Sequence, residues 1–165
     1  MTVNQSKMQI KLSNRLGAIA GYIEAGAGVA DVGTDHGFLP VWLAQKGLYG
    51  NIIASDISAG SLAAARRTAE KHNVTDKITF FTTPGLEGFE GLDVDTIVIA
   101  GLGGETISGI LSGAPWVRQR NIRLILQPQT KAVKLCVWLS DNGYIIRDSR
   151  LARDRGKRYV IIMCQ

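Results

Sequence analysis

Carboxylates and glycines alternate in the run Val29-Ala30-Asp31-Val32-Gly33-Thr34-Asp35-His36-Gly37-Phe38-Leu39-Pro40, a mixture able to hold a charged ligand against the main chain. Glycine at 33 and 37 can take backbone angles closed to other residues and lets a bound molecule approach the backbone. Unpaired amides at the start of a following helix favour a negative group. Asp56 lies 19 residues beyond Gly37, at the end of the apolar stretch Asn51-Ile52-Ile53-Ala54-Ser55-Asp56. That is close to the roughly 20-residue interval at which a βαβ unit sets an acidic side chain against a ribose diol. The plain alternative is a glycine-rich turn that binds nothing, and the surrounding strand, helix and acid weigh against it.

One residue separates two nucleotide classes. A dinucleotide fingerprint beginning at Gly33 needs glycine at positions 35 and 38, where this chain has Asp35 and Phe38. A carboxylate at 35 would repel a pyrophosphate but attract a molecule carrying an ammonium and a sulfonium. S-adenosyl-L-methionine therefore fits the turn better than NAD.

These residues need a scaffold, and its elements can be read along the chain. Leu12, Leu16, Ile19, Ala20 and Ile23 recur at helical spacing, with Ser13 or Asn14 as start and Gly26 as stop. Val29–Val32 reads as a buried strand. Leu39, Trp42, Leu43 and Leu48 mark the inner face of the next helix, which Gly47 helps to end. Ser58 offers a cap for a helix carried by Leu62, Ala65 and Ala69 to Asn73. Ile78-Thr79-Phe80-Phe81 and Thr96-Ile97-Val98-Ile99-Ala100 read as the third and fourth strands, the latter almost wholly buried. Gly101-Leu102-Gly103-Gly104 follows directly, at the sheet edge where open α/β proteins bind ligands. Ile107, Ile110 and Leu111 give a short helix, Arg123–Pro128 a fifth strand, and Val133, Val137, Trp138 and Leu139 a helix stopped near Gly143. Tyr144-Ile145-Ile146 and Tyr159–Met163 supply two last strands with no helix between them. A parallel sheet finishing in an antiparallel hairpin favours a methyltransferase-type topology over a dinucleotide dehydrogenase.

At 165 residues with 45% hydrophobic content the chain reads as one globular domain, residues 1–165. It shows no signal peptide and no apolar run long enough to span a bilayer. Cys136 and Cys164 sit in apolar stretches and read as reduced core residues, which suggests a cytoplasmic setting. His36 and His72 have no cysteine or carboxylate cluster around them, so no metal site is expected. The net charge of +5 is unevenly spread: residues 1–115 hold 8 Lys or Arg and 11 Asp or Glu, residues 116–165 hold 11 and 3. Arg147, Arg150, Arg153, Arg155, Lys157 and Arg158, on a strand-loop-strand, could form one positive edge suited to phosphates. The same charges could equally belong to a solvated hairpin that blocks edge pairing.

Leu12-Ser13-Asn14-Arg15-Leu16, the Gly33–Pro40 turn, the Asp95–Gly104 segment and Leu124-Ile125-Leu126-Gln127-Pro128 together resemble the bacterial TrmK family of tRNA adenine-N1 methyltransferases acting on adenine 22. The resemblance runs from about Leu12 to the final strand. It implies a Rossmann-like class I SAM-dependent methyltransferase fold, with a seven-stranded, mostly parallel sheet and a C-terminal antiparallel hairpin. It also implies S-adenosyl-L-methionine as cofactor and tRNA as partner. The cofactor-binding candidates are Asp31, Gly33, Asp35, His36, Gly37, Asp56, Ile57, Gly85, Leu86, Ala100, Gly101 and Leu102. The chain departs from the family's pattern at Thr83-Pro84-Gly85-Leu86, where Pro84 replaces the acid that meets the cofactor's adenine. It departs also at Phe38, commonly Tyr, and at Gln129, commonly Asn. The family's helical C-terminal extension, thought to help hold tRNA, is not expected within these residues.

Adenine N1 has a lone pair and no proton, so it can attack the sulfonium methyl without a base, and the product base is cationic. The site must then supply in-line positioning, negative charge near the developing cation and a stacking face. Asp35 and Phe38 are the catalytic candidates, with His36 second. Asp35 could instead only hold the cofactor's ammonium, Phe38 could only pack, and His36 could only make a structural hydrogen bond at the helix start. Two further readings of the chain are a noncatalytic nucleic-acid-binding module and a methyltransferase of a small molecule. The sequence carries no signal for oligomeric state.

Overall fold

Five short runs of β-branched and aliphatic residues have apolar side chains on both faces, and such strands are stable only when covered on both sides. The computed structural model, which describes residues 8–165, forms them into a parallel sheet: β1 (Val29–Val32), β2 (Ile52–Asp56), β3 (Thr79–Thr82), β4 (Thr96–Leu102) and β5 (Arg123–Pro128). Two further strands, β6 (Ile146–Asp154) and β7 (Lys157–Cys164), complete a seven-stranded sheet in the order β3-β2-β1-β4-β5-β7-β6. β7 is antiparallel to both its neighbours, so β6 runs in the same direction as the parallel strands. The methyltransferase-type topology expected from the sequence is the one observed.

The helices are α1 (Asn14–Ala20), α2 (Phe38–Lys46), α3 (Ala59–Lys71), α4 (Gly104–Ser112), α5 (Trp116–Gln119) and α6 (Ala132–Asp141). They pack as two layers. Ile19, Leu39, Leu43, Ala69 and Val98 belong to the core on one side of the sheet, and Ile99, Ile107, Leu111, Leu126 and Leu139 to the core on the other. Local chemistry explains the boundaries. Ser13 and Ser58 accept from the backbone N–H of Leu16 and Ser61, capping α1 and α3. Gly47, at φ 63°, ends α2 in the left-handed conformation.

Several expectations are corrected. α1 stops at Ala20, with Gly21 as its cap, rather than running to Ile23 with Gly26 as stop; Tyr22 and Ile23 stay buried as a core-facing turn. The Tyr22 hydroxyl donates to Asp148 Oδ2 at 2.9 Å, which fixes that turn against β6. Leu48 is exposed, lying past the glycine that ends α2. On α6 the buried face is Leu135 and Leu139, while Val133 is 78% and Val137 55% exposed. The expected inner face holds for Trp138 and Leu139 but not for Val133 and Val137, which are apolar without facing the sheet. α5 and a 3-10 turn at Thr75–Lys77 were not expected at all; both are too short to show a period.

The largest correction concerns the hairpin. The basic stretch, expected as strand-loop-strand, is almost all strand, β6 and β7 being joined by Arg155 and Gly156 alone, both with positive φ. A two-residue turn of this kind matches the strand twist. Its charges also do not form a single edge. Arg150 lies on the face that packs on α1, with Asp148 Oδ2 3.5 Å from its Nε and the Tyr22 ring 4.0 Å from its Cζ. Arg153 and Arg158 are cross-strand partners, and Arg153 lies three positions along β6 from Arg150, so by alternation they stand on the opposite face.

Candidate functional site

Where the parallel strands end, β1 passes through Gly33 (φ 75°) and Asp35 (φ 52°) before Gly37 (φ 70°) opens α2. Three left-handed residues in five turn the chain tightly, and Asp35 is the one without glycine's freedom, although Asp tolerates this region better than most. The turn is held from β2: the Asp35 N–H donates to Asp56 Oδ2 at 3.2 Å, and the Ser58 N–H donates to Oδ1 at 2.9 Å. Each oxygen of Asp56 thus keeps a further lone pair for an incoming hydroxyl.

A cavity of about 630 Å³ opens here, across the C-terminal ends of β1, β2 and β4. That size is ordinary for a cofactor site, for which roughly 300–1,000 Å³ is usual. Of the sequence candidates, Asp31, Gly33, Asp35, His36, Asp56 and Ile57 line it, as do Phe38, Gly85, Ala100, Gly101 and Leu102. Two candidates stand elsewhere. Leu86 is buried in the core, and Gly37 packs against α3, where an added Cβ would come 2.8 Å from the Ala65 Cβ. Gly37 is therefore required for helix packing as well as for its positive φ.

The cavity is graded in burial, with a carboxylate at each end. Asp31 lies at its buried end; its Oδ2 accepts from the Thr34 hydroxyl at 2.7 Å. Burial pushes the Asp31 carboxyl up to about 6, against the pull of the Thr34 hydrogen bond and the Arg15 charge. Asp35 sits at the exposed end, its side chain 69% accessible, with Oδ2 3.7 Å from His36 Nε2. His36 stacks on Phe38, with ring centroids 5.7 Å apart and planes at 25°. Phe38 is 45% exposed and lines the cavity, so aromatic surface stands at the mouth.

Sequence reasoning missed a second group. Arg15 and Leu16 of α1, Thr106 and Ile110 of α4, and Gln129 after β5 all line the cavity. Arg15 is positioned by the buried Gln127, to whose Oε1 its Nη1 donates at 2.8 Å, and by the Tyr159 ring 5.6 Å away. Its Nη1 and the Gln129 amide flank Gly101, where an added Cβ would lie 3.8 and 3.9 Å from them. The only signal for Arg15 in the sequence was its place in the Leu12–Leu16 segment. Thr83, Pro84 and Ser61 complete the wall, and the Thr83 hydroxyl donates to the Glu87 carbonyl. Among the described residues no group of three His, Cys, Asp or Glu side chains is arranged to hold a metal ion.

These residues fit a cationic nucleoside ligand. Buried and exposed carboxylates suit an ammonium and a sulfonium, Asp56 suits a ribose diol, and Gly33 and Gly101 leave the backbone open to close approach.

Known proteins are similar to this chain in sequence and fold. A methyltransferase-domain family model matches residues 12–162. The tRNA (adenine(22)-N(1))-methyltransferase of Bacillus subtilis is 34% identical over 157 residues, which is 95% of this chain. The chain spans about two thirds, 66%, of that relative's length. Streptococcus pneumoniae Sp1610, solved with S-adenosyl-L-methionine, superposes with a TM-score of 0.88 at 35% identity, covering 94% of this chain and 73% of the other. M. capricolum TrmK, solved with S-adenosyl-homocysteine, gives 0.82 at 30% identity, covering 93% and 68%.

Proposed function

We propose, because this chain belongs to the bacterial TrmK family of S-adenosylmethionine-dependent methyltransferases, that it transfers a methyl group to N1 of adenine 22 in tRNA. The observation that carries the reading is the cavity at the ends of β1, β2 and β4, with carboxylates at both depths and an exposed aromatic face at its mouth. When bound, S-adenosyl-L-methionine supplies an electrophilic methyl group on a positively charged sulfur. Asp31 and Asp56 are the residues that would hold its ammonium and ribose, with Gly33, Gly101 and Leu102 shaping the backbone around it.

Asp35 and Phe38 act on the substrate side. The adenine N1 attacks through its own lone pair, so no residue has to remove a proton. As the bond forms, positive charge moves onto the base. Asp35, exposed at the mouth and held in place through its own N–H, opposes that charge with a carboxylate. Phe38 offers a stacking face to a base drawn out of its helix. His36 backs the Phe38 ring and lies beside Asp35, which makes it a positioning residue. Pro84 contributes no carboxylate where the family pattern has one, so adenine recognition here rests on packing against Pro84, Gly85 and Ile110. The reading carries a cytoplasmic setting with it, supported by Cys136 and Cys164, which are free thiols.

The test is methyl transfer from labelled donor to bulk tRNA, followed by primer extension. An N1 methyl group blocks the Watson–Crick edge, so reverse transcription stops just before adenine 22. Label in tRNA together with that stop supports the reading. Donor and tRNA binding without label would indicate a noncatalytic module, and label found only in small molecules would indicate a different substrate class.

A further inference from the structure

A second groove, of about 340 Å³, runs along the outer face of α3 and shares His36 and Phe38 with the first cavity. Ala64, Arg67, Thr68, Lys71 and His72 line it, and their spacing of three and four places them on one side of the helix. Ile10, from the segment before α1, closes it. That segment is pinned: the Gln45 side chain accepts from the Ile10 N–H at 2.8 Å and donates to the Met8 carbonyl at 3.1 Å, and His72 Nδ1 is 2.8 Å from the same carbonyl. Arg67 and Lys71 are exposed, and neither forms an ion pair among the described residues. Residues 1–7 carry no acidic side chain either.

We propose that this groove receives the nucleotide next to the target adenine, with its base against the His36 and Phe38 rings and its phosphates on Arg67 and Lys71. The proposal rests on the tRNA-methylation reading and names how the RNA strand passes the site. A base drawn into the cavity brings its backbone to the mouth, and on the α3 side the wall of that mouth is the stacked His36–Phe38 pair. Immediately beyond it stand two cations one helical turn apart, neither of them ion-paired among the described residues. Stacking on an aromatic face tolerates any base, and cations beside such a face are the usual means of tracking a single strand. Ile10 and Ala64 supply the apolar lining that a base, unlike a free phosphate, can use.

The experiment compares wild type with R67Q/K71Q, using a fluorescein-labelled single-stranded RNA pentamer with a central adenine, and tRNA itself. For the variant, pentamer binding should weaken about tenfold or more, and the slope of log affinity against log salt should fall by about 1.4, since each of the two single-strand phosphate contacts contributes roughly 0.7. Calorimetric affinity for S-adenosyl-L-methionine should be unchanged. In the methylation assay KM for tRNA should rise with kcat retained. R67K, which keeps the charge, should restore pentamer binding relative to R67Q. Lys134→Gln, on α6, which packs on the other side of the sheet from α3, should change none of these. Equal pentamer affinity and slope in wild type and R67Q/K71Q would overturn the proposal, as would an equal loss in the Lys134 variant. If wild type methylates no tRNA, the functional reading fails, and the groove is then judged on the pentamer alone.

Discussion

Asp35 is the residue at which chemistry and fold can be separated. Its left-handed backbone suits Asn as well as Asp, so Asp35→Asn should leave the melting temperature near wild type. It should lower kcat by about 10²-fold at saturating donor, as removal of other preorganised electrostatic groups does. Steady-state kinetics at low and saturating donor decide between roles, since a loss recovered at saturation would mean that Asp35 only holds the cofactor. Asp31 makes a separate prediction through its proton. Its folded-state carboxyl titrates at about 6, above the ordinary 3.8. Between those values the native state binds more protons than the unfolded chain, so without ligand this group's contribution to stability declines as pH rises from about 4 to about 6, by on the order of 3 kcal/mol. A cationic donor favours the carboxylate, so its affinity should increase about tenfold between pH 5 and pH 7. Calorimetry across that range should show the trend in wild type and a flat line for Asp31→Asn.

At the scale of elements, the turn into α2 and the C-terminal hairpin carry the testable content. Gly37 combines a φ of 70° with the 2.8 Å approach to Ala65. Gly37→Ala should therefore cost about 3 kcal/mol, from overpacking and left-handed strain together, and urea unfolding would measure it. In the hairpin, Arg153 and Arg158 sit directly opposite each other, an arrangement that destabilises a strand pair unless an anion lies over it. Because β6 runs with the parallel strands, the Arg155–Gly156 tip projects from the same sheet edge as the cavity, and the Arg153 carbonyl accepts from the Asn14 side chain beside Arg15. Replacing Arg153, Arg155 and Arg158 by Gln should lower the salt slope of tRNA binding by about 2 to 3. Cofactor affinity should not change. An unaltered slope would leave these charges as protection for an exposed edge strand.

For the whole molecule, donor binding should be read as stability. At a donor concentration 100 times Kd the folded state gains about 2.7 kcal/mol, which for a chain of this size raises Tm by roughly 5–10 °C. NAD at the same concentration should give no shift, and a larger shift with NAD would overturn the cofactor assignment. The alternation of strands and helices, the closing hairpin, the acids ending β1 and β2 and the preference for a cationic nucleoside were all legible in the sequence. Each is written in local features: a period of two or 3.6, a glycine in a turn, an interval of about 20 residues. The same local reading fails where two phases are both apolar, as on α6, and where a charged strand has no apolar period to mark its extent, as along β6. Only the tertiary structure decided that Arg15 and Gln127, 112 residues apart, meet at the cavity, that Gly37 serves packing, and that the basic tip shares the cavity's edge. Those placements follow from the order and direction of strands in the sheet, which depend on pairings between distant segments that no short stretch of sequence encodes.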